Sequence, residues 1–156
     1  MGRRYTAIFS GVAVTAQQDF FEINAPADAV VELMGLSLSQ STEVGDAAEE
    51  GLSILVKSGA TTSGSGGSAP TAAPLSLGDA AFGGTVEANN TTKATAGTIV
   101  THFALNWNVR APFEYFWPEE FRKQLSPSAR LTVELATTPA DSITVSGWVM
   151  FKEIGG

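Results

Sequence analysis

The most constraining feature of this chain is the alternation of apolar and polar residues from Thr98 to Arg110. One set of alternate positions holds Ile99, Thr101, Phe103, Leu105, Trp107 and Val109, and the other holds His102, Ala104, Asn106, Asn108 and Arg110. Successive side chains of a β-strand point to opposite faces of the sheet. This period of two predicts a long strand with one buried face and one face turned to solvent or to a partner.

Other segments share this alternation or are rich in β-branched and aromatic residues. Turn signals such as Pro-Ala-Asp at 26–28 and 139–141 separate them, and strands do not alternate regularly with helices. The pattern favours an all-β fold, an antiparallel jelly-roll-like β-sandwich of one domain (1–156), over a closed barrel or an α/β fold. It predicts about eight strands: Arg4–Val14, Asp19–Asn24, Val30–Gln40, Leu52–Lys57, Thr98–Arg110, Phe113–Trp117, Leu131–Thr137 and Ile143–Glu153.

Two short segments do not fit the strand pattern. Pro118–Leu125 (PEEFRKQL) places proline at the first helical position, acids in the first turn and Lys123 in the last. It therefore predicts one short helix. Glu43–Glu50 (EVGDAAEE) predicts an acidic turn or a single helical turn.

The segment 58–97 is rich in Gly, Ser, Thr, Ala, Asn and Pro. Compact domains seldom contain a connection of this length unless it has a task outside the core. We expect an extended loop or arm that contacts a neighbouring protein. Its prolines should stiffen part of it. The predicted partner-contact residues are Thr61, Thr62, Pro70, Pro74, Phe82, Asn89 and Asn90 in this segment, with Tyr115 and Trp117 in the aromatic strand.

The composition excludes several classes of function. The chain has 156 residues, a formal net charge of -7 and no cysteine. So acidic a chain is poorly suited to nucleic acid or to an anionic membrane. Without cysteine it has no disulfide, thiolate nucleophile or cysteine-ligated metal. Because no stretch resembles a membrane helix or a cleaved leader, we expect a soluble protein.

Patterns that would indicate catalysis are weak. His102 is the only histidine and lies on the polar face of a predicted strand, so we interpret it as structural. The run Gly64–Gly67 lacks the spacing of a phosphate-binding loop, and Glu43–Glu50 lacks that of a calcium loop. Glu114 with Glu134 is the carboxylate pair we would test for hydrolysis. We predict no enzyme activity, no cofactor and no metal site.

Several stretches resemble those of small proteins encoded in tailed-bacteriophage and prophage genomes. They are Leu38–Asp46 (LSQSTEVGD), Thr61–Pro74 (TTSGSGGSAPTAAP), Gly78–Thr92 (GDAAFGGTVEANNTT), Asn108–Arg110 (NVR) and Pro139–Gly147 (PADSITVSG). The resemblance runs along nearly the whole chain, and its middle stretches are specific. It implies a phage setting, and a structural role in the virion is our further step.

Together, the resemblance and the strand pattern imply a capsid decoration, or cement, protein. Such a protein is made in the host cytoplasm and sits on the outer surface of the head. Its expected partners are the major capsid protein and itself, as a homotrimer, with no nucleic acid or membrane partner. One alternative is a carbohydrate-binding head-fibre or adhesion module that stacks sugars on the aromatic residues of 113–121. Another is a depolymerase or esterase that uses Glu114 and Glu134.

Overall fold

A computed structural model describes residues 2–42 and 50–155. All the predicted strands are present, and the predicted acidic turn at Glu43–Glu50 lies, apart from Glu50, outside the described residues. Over these ranges a 3₁₀ turn spans Glu119–Phe121 and the strands are β1 (Arg3–Val14), β2 (Gln18–Asn24), β3 (Ala29–Gln40), β4 (Gly51–Thr62), β5 (Ala73–Pro74), β6 (Thr85–Asn90), β7 (Thr95–Asn108), β8 (Phe113–Phe116), β9 (Gln124–Leu125), β10 (Arg130–Leu135) and β11 (Ile143–Gly155).

The strands form two antiparallel sheets that pack against each other. Sheet A has the order β5-β1-β11-β3-β8, with β9 also beside β3, and sheet B has the order β6-β2-β10-β4-β7. Without the short strands, the orders are β1-β11-β3-β8 and β2-β10-β4-β7, and the chain passes repeatedly from one sheet to the other. This is the arrangement of a jelly roll, in which two Greek keys share two sheets. The predicted jelly-roll β-sandwich is confirmed.

The core lies between the facing surfaces of the two sheets. Phe9 of sheet A meets Phe20 and Phe21 of sheet B, with ring centroids 5.8 Å and 5.2 Å apart. Trp107 of β7 and Trp117 after β8 are buried in the same core. Burial of each such side chain stabilises the fold by about 2 kcal/mol. The sandwich therefore has a well-packed interior that can support the side chains on its two outer faces.

The helix predicted for Pro118–Leu125 is wrong. Only Glu119–Phe121 forms a helical turn, and Gln124–Leu125 forms β9, which pairs with β3. Phe121 is 65% exposed, whereas Leu125 is buried in the core. Pairing with β3 and burial in the core place Leu125 in a strand, and these tertiary contacts outweigh the local helix-start signals.

The segment 58–97 is partly regular structure. Its two ends belong to β4 and β7, which pair as far as Thr62 opposite Thr95, and β5 and β6 lie within it. An isolated bridge joins Ser65 to Thr92. These pairings place much of the segment against the sandwich, whereas a free arm would extend away from it.

Candidate functional site

An apolar stripe crosses the outer face of sheet A. Ile8 of β1 lies directly opposite Trp148 of β11, and in the next row Met150 of β11 and Phe116 of β8 lie on either side of Gly35 of β3. Ile8 is 63% exposed and Phe116 is 51% exposed. The rings of Trp148 and Phe116 are in contact, with centroids 5.5 Å apart. We call Ile8, Trp148, Met150 and Phe116 the apolar stripe.

Gly35 makes the close packing of the apolar stripe possible. A Cβ atom at this position would lie 2.6 Å from Cδ1 and 2.9 Å from Cε1 of Phe116. Carbon atoms that are not bonded do not approach so closely, so the ring of Phe116 lies over bare backbone of β3. A glycine inside a strand often marks such a close approach. The glycine therefore sets the position of Phe116 beside Trp148.

Hydroxyl groups border the apolar stripe on one side. Ser146 and Ser39 are opposite each other in the next outward row, and Ser10 Oγ lies 3.5 Å from Ser146 Oγ. These small side chains project less than those of the apolar stripe and make the neighbouring surface polar. The stripe is therefore a raised apolar patch with a polar rim, which is the usual anatomy of a protein–protein contact.

Ion pairs border the apolar stripe on the other side. Glu32 of β3 is buried beneath Arg122 Nη1 at 3.1 Å, Lys152 Nζ at 3.5 Å and Gln124 Nε2 at 3.3 Å. Burial alone would raise the pKa of Glu32, but the hydrogen bonds from Arg122 and Gln124 and the charge of Lys152 outweigh it and hold the pKa below its usual value. This border is consequently a fixed ionic cluster.

On sheet B, a buried carboxylate binds the segment 58–97. Glu22 of β2 accepts hydrogen bonds from Ser63 Oγ at 2.7 Å and from the backbone N–H of Gly64 at 2.9 Å. Its carboxylate also pairs with Arg130 Nε at 2.6 Å and accepts from Asn90 Nδ2 at 3.3 Å. One acidic side chain thus ties both ends of the segment 63–90 to the outer face of the sheet.

A second anchor lies further along the same face. Asp19 accepts a hydrogen bond from the backbone N–H of Ala94 at 2.8 Å, and Glu134 pairs with Lys57 and, at 3.1 Å, with Lys93. Burial raises the pKa of Asp19 to about 6; the Ala94 N–H opposes this effect, and the charge of Glu134 adds to it. Asp19 Oδ1 is buried with no hydrogen-bond partner among the described residues. The charged form of Asp19 is therefore unfavourable in the folded protein.

The residues predicted to contact a partner do not gather at one surface. Those with exposed or half-buried side chains are Thr61, Thr62, Pro70, Pro74 and Tyr115. Those that are buried or packed against the core are Phe82, Asn89, Asn90 and Trp117. The second group packs the loop and the aromatic strand against the sandwich.

The apolar stripe was not among the sequence-based predictions, although the sequence contains a signal for it. Ile8, Trp148 and Met150 are apolar residues at the outward phase of strands whose inward positions are already apolar. At the end of the aromatic strand, Trp117 is buried while its neighbour Phe116 is exposed. What could not be read from the sequence is the strand order that places these residues side by side.

One pair of side chains has the spacing of a nucleophile and its base. Ser58 Oγ on β4 lies 2.7 Å from His102 Nε2 on β7. Burial lowers the pKa of His102, and the charge of Lys123 lowers it further, so the imidazole is neutral at neutral pH. In the part of the chain that the structure describes, no carboxylate contacts the other ring nitrogen, as the orienting acid of a catalytic triad does.

The carboxylate pair proposed for hydrolysis is separated by the fold. Glu114 lies opposite Ser37 in sheet A, and Glu134 lies in sheet B beside Leu55. Both side chains point outward from the sandwich, one on each side of it. They cannot flank one glycosidic bond, so this pairing is wrong.

Across residues 2–42 and 50–155, no group of three or more His, Cys, Asp or Glu side chains is placed to hold a metal ion. The same ranges contain no helix with the length and apolar character needed to cross a bilayer.

Comparison with protein-family models, with curated proteins and with solved structures gave no match.

Proposed function

We propose that this protein is a structural component of a tailed-phage particle that decorates and stabilises the capsid. In this proposal it binds the major capsid protein on the outside of the head, through the apolar stripe on sheet A. It acts as an oligomer of identical copies and does no chemistry of its own.

The observation that carries the proposal is the apolar stripe itself. Solvent-exposed aromatic and aliphatic residues in one continuous patch are the type of surface that protein partners cover. Tryptophan and other large side chains supply most of the binding energy at such contacts when a polar rim excludes water around them. The stripe contains Trp148 and Phe116 in contact, with hydroxyls on one border and a fixed ionic cluster on the other.

A rigid sandwich with a flat outer face also suits a repetitive shell. Each copy would make one modest contact, and contacts made by a linked set of copies to neighbouring coat subunits would reinforce one another through effective concentration. The net charge of -7 would keep decorated particles apart from one another and from DNA.

The test is co-sedimentation of the purified protein with expanded heads that lack it. Ile8→Lys places a charge in the stripe, at its β1 end beside Trp148, and should weaken binding at least about tenfold. Phe121→Lys is the matched control, because Phe121 is 65% exposed but lies off the stripe. Equal binding of both variants and of the unchanged protein would refute the proposed surface, and no binding of the unchanged protein would refute the function.

A carbohydrate-binding role is a second candidate, and one specific observation favours it. The ring pair of Trp148 and Phe116 lies beside a row that holds Ser37 and Glu114, so a sugar ring stacked on the aromatic residues would find a hydroxyl and a carboxylate nearby. A glycan array distinguishes the two functions. Binding of a glycan that Trp148→Ala abolishes, without any binding to heads, would favour the adhesion module.

A further inference from the structure

The sheets have four edges, and natural proteins protect such edges from unwanted pairing. Sheet A ends in β5, which is two residues long, and in β8, which is four. Sheet B ends on one side in β6, whose Ala88 exchanges backbone hydrogen bonds with Ser68 of the loop at 2.8 Å and 2.9 Å. In the described part of the chain, β8 is short and β6 is covered. β5 covers only Tyr5 and Thr6 of β1, and a bulge between Phe9 and Val12 interrupts the rest of that edge.

The fourth edge, the outer side of β7, is neither short nor covered by another described strand. At its end, the Asn108 carbonyl accepts a hydrogen bond from the Ala111 N–H of the following turn at 3.0 Å. β7 has 14 residues and pairs only with β4 among the described strands. Its register with β4 is irregular near Val100 but regular from Phe103 to Asn108. Six regular residues are a full strand by ordinary standards, since strands of about five or six residues are the commonest.

The side chains along this edge are neutral, and alternate ones face outward. β7 contains no Asp, Glu, Lys or Arg, in a chain with a formal net charge of -7. Ala104, Asn106 and Asn108 are exposed on the outer face of sheet B. An asparagine amide both donates and accepts hydrogen bonds, so it can pair with an identical amide.

We propose that the edge of β7 from Phe103 to Asn108 pairs antiparallel with the same edge of a second copy of this chain. Two copies with so much negative charge repel each other unless they meet at a neutral surface, and β7 is such a surface. A second copy is also the one partner present wherever the chain is made, so it can cover the open edge from the start.

We place the twofold axis of this pair at Asn106, near the middle of Phe103–Asn108, and this position sets the register. Residues directly opposite in an antiparallel pair lie on the same face of the sheet, so an axis at Asn106 places its amide against the equivalent amide. Ala104 then faces Asn108 of the second copy, and sheet B of the two copies becomes continuous. The result is a dimer, in place of the trimer expected from the resemblance. The inference does not rest on the proposed capsid function.

Single-cysteine variants test the register directly, because the chain has no cysteine of its own. Opposite Cα atoms in such a pair are about 4.5–5.5 Å apart, within disulfide range. Under mild oxidation, Asn106→Cys should form a covalent dimer. Ala104→Cys should not, because in this register its two thiols are about 13 Å apart along the strands. Ile8→Cys, on the other sheet, is the control for random collision.

Sedimentation equilibrium supplies an independent readout. We expect a dimer whose dissociation constant rises at least about tenfold in Asn106→Lys, because two ammonium groups would face each other, and stays unchanged in Ile8→Lys. A monomer or a trimer at all concentrations would overturn the proposal. So would a dimer that Asn106→Lys leaves intact, or cross-linking by Ile8→Cys as efficient as by Asn106→Cys. Near-ultraviolet circular dichroism checks that each variant is folded.

Discussion

Replacing Asp19 with asparagine should stabilise the protein at neutral pH. Asp19 is buried, one of its oxygens accepts from the Ala94 N–H and the other has no partner among the described residues. Its pKa is raised from the ordinary value of 3.8 to about 6. A difference of this size corresponds to about 3 kcal/mol between the two protonation states. An asparagine keeps the acceptor for Ala94 and removes the charge that burial and Glu134 oppose.

The pH dependence follows from the direction of the shift. Because the folded pKa is higher, the folded state binds more protons than the unfolded state between about pH 4 and about pH 6. The contribution of Asp19 to the free energy of unfolding therefore falls as the pH rises through this window. At neutral pH the full penalty is present, and we expect Asp19→Asn to gain about 2 kcal/mol, since the amide loses the attraction of Lys93.

Urea unfolding of both proteins at several pH values is the assay. The difference between the two curves isolates Asp19 from other titrating groups. It should be largest above about pH 7 and shrink towards about pH 4. An asparagine variant that is less stable than the unchanged protein at neutral pH would refute the reasoning.

Two further predictions concern the loop anchor and the apolar stripe. Glu22→Gln leaves the charge of Arg130 without its buried partner and should lower the free energy of unfolding by about 3 kcal/mol, with faster amide exchange in residues 63–68; unchanged exchange would contradict the anchor. Gly35→Ala should displace the ring of Phe116, which a tryptophan emission shift would report, and should weaken head binding. Gly78→Ala, which has open space around it, is the control, and an unaltered emission spectrum in Gly35→Ala would contradict the packing.

The fold could be predicted because its signals are local. Alternation along single strands, as in Ile143–Glu153, identifies each strand without knowledge of its neighbours. The absence of regular strand–helix alternation then leaves few architectures for about eight strands. The failure at Pro118–Leu125 has the opposite cause. Its capping pattern is locally sound, but pairing of Leu125 with β3, distant in sequence, decides the structure.

The sites could be predicted less well because they depend on register. Asp19, Glu22 and Glu32 are buried, although acidic side chains are seldom buried unless they are paired. Each has a partner that is far away in sequence, such as Arg130 for Glu22. The apolar stripe likewise assembles Ile8 with Trp148, which the sequence separates by most of its length. No local pattern specifies such neighbours.

Electron cryo-microscopy of decorated heads is the most direct test of the central claim that sheet A binds the coat lattice. If sheet A binds the coat, the density should show coat protein against Ile8, Trp148 and Phe116, with the outer face of sheet B turned away from the coat. Heads whose density shows the apolar stripe facing solvent, or purified particles that lack this protein, would contradict it.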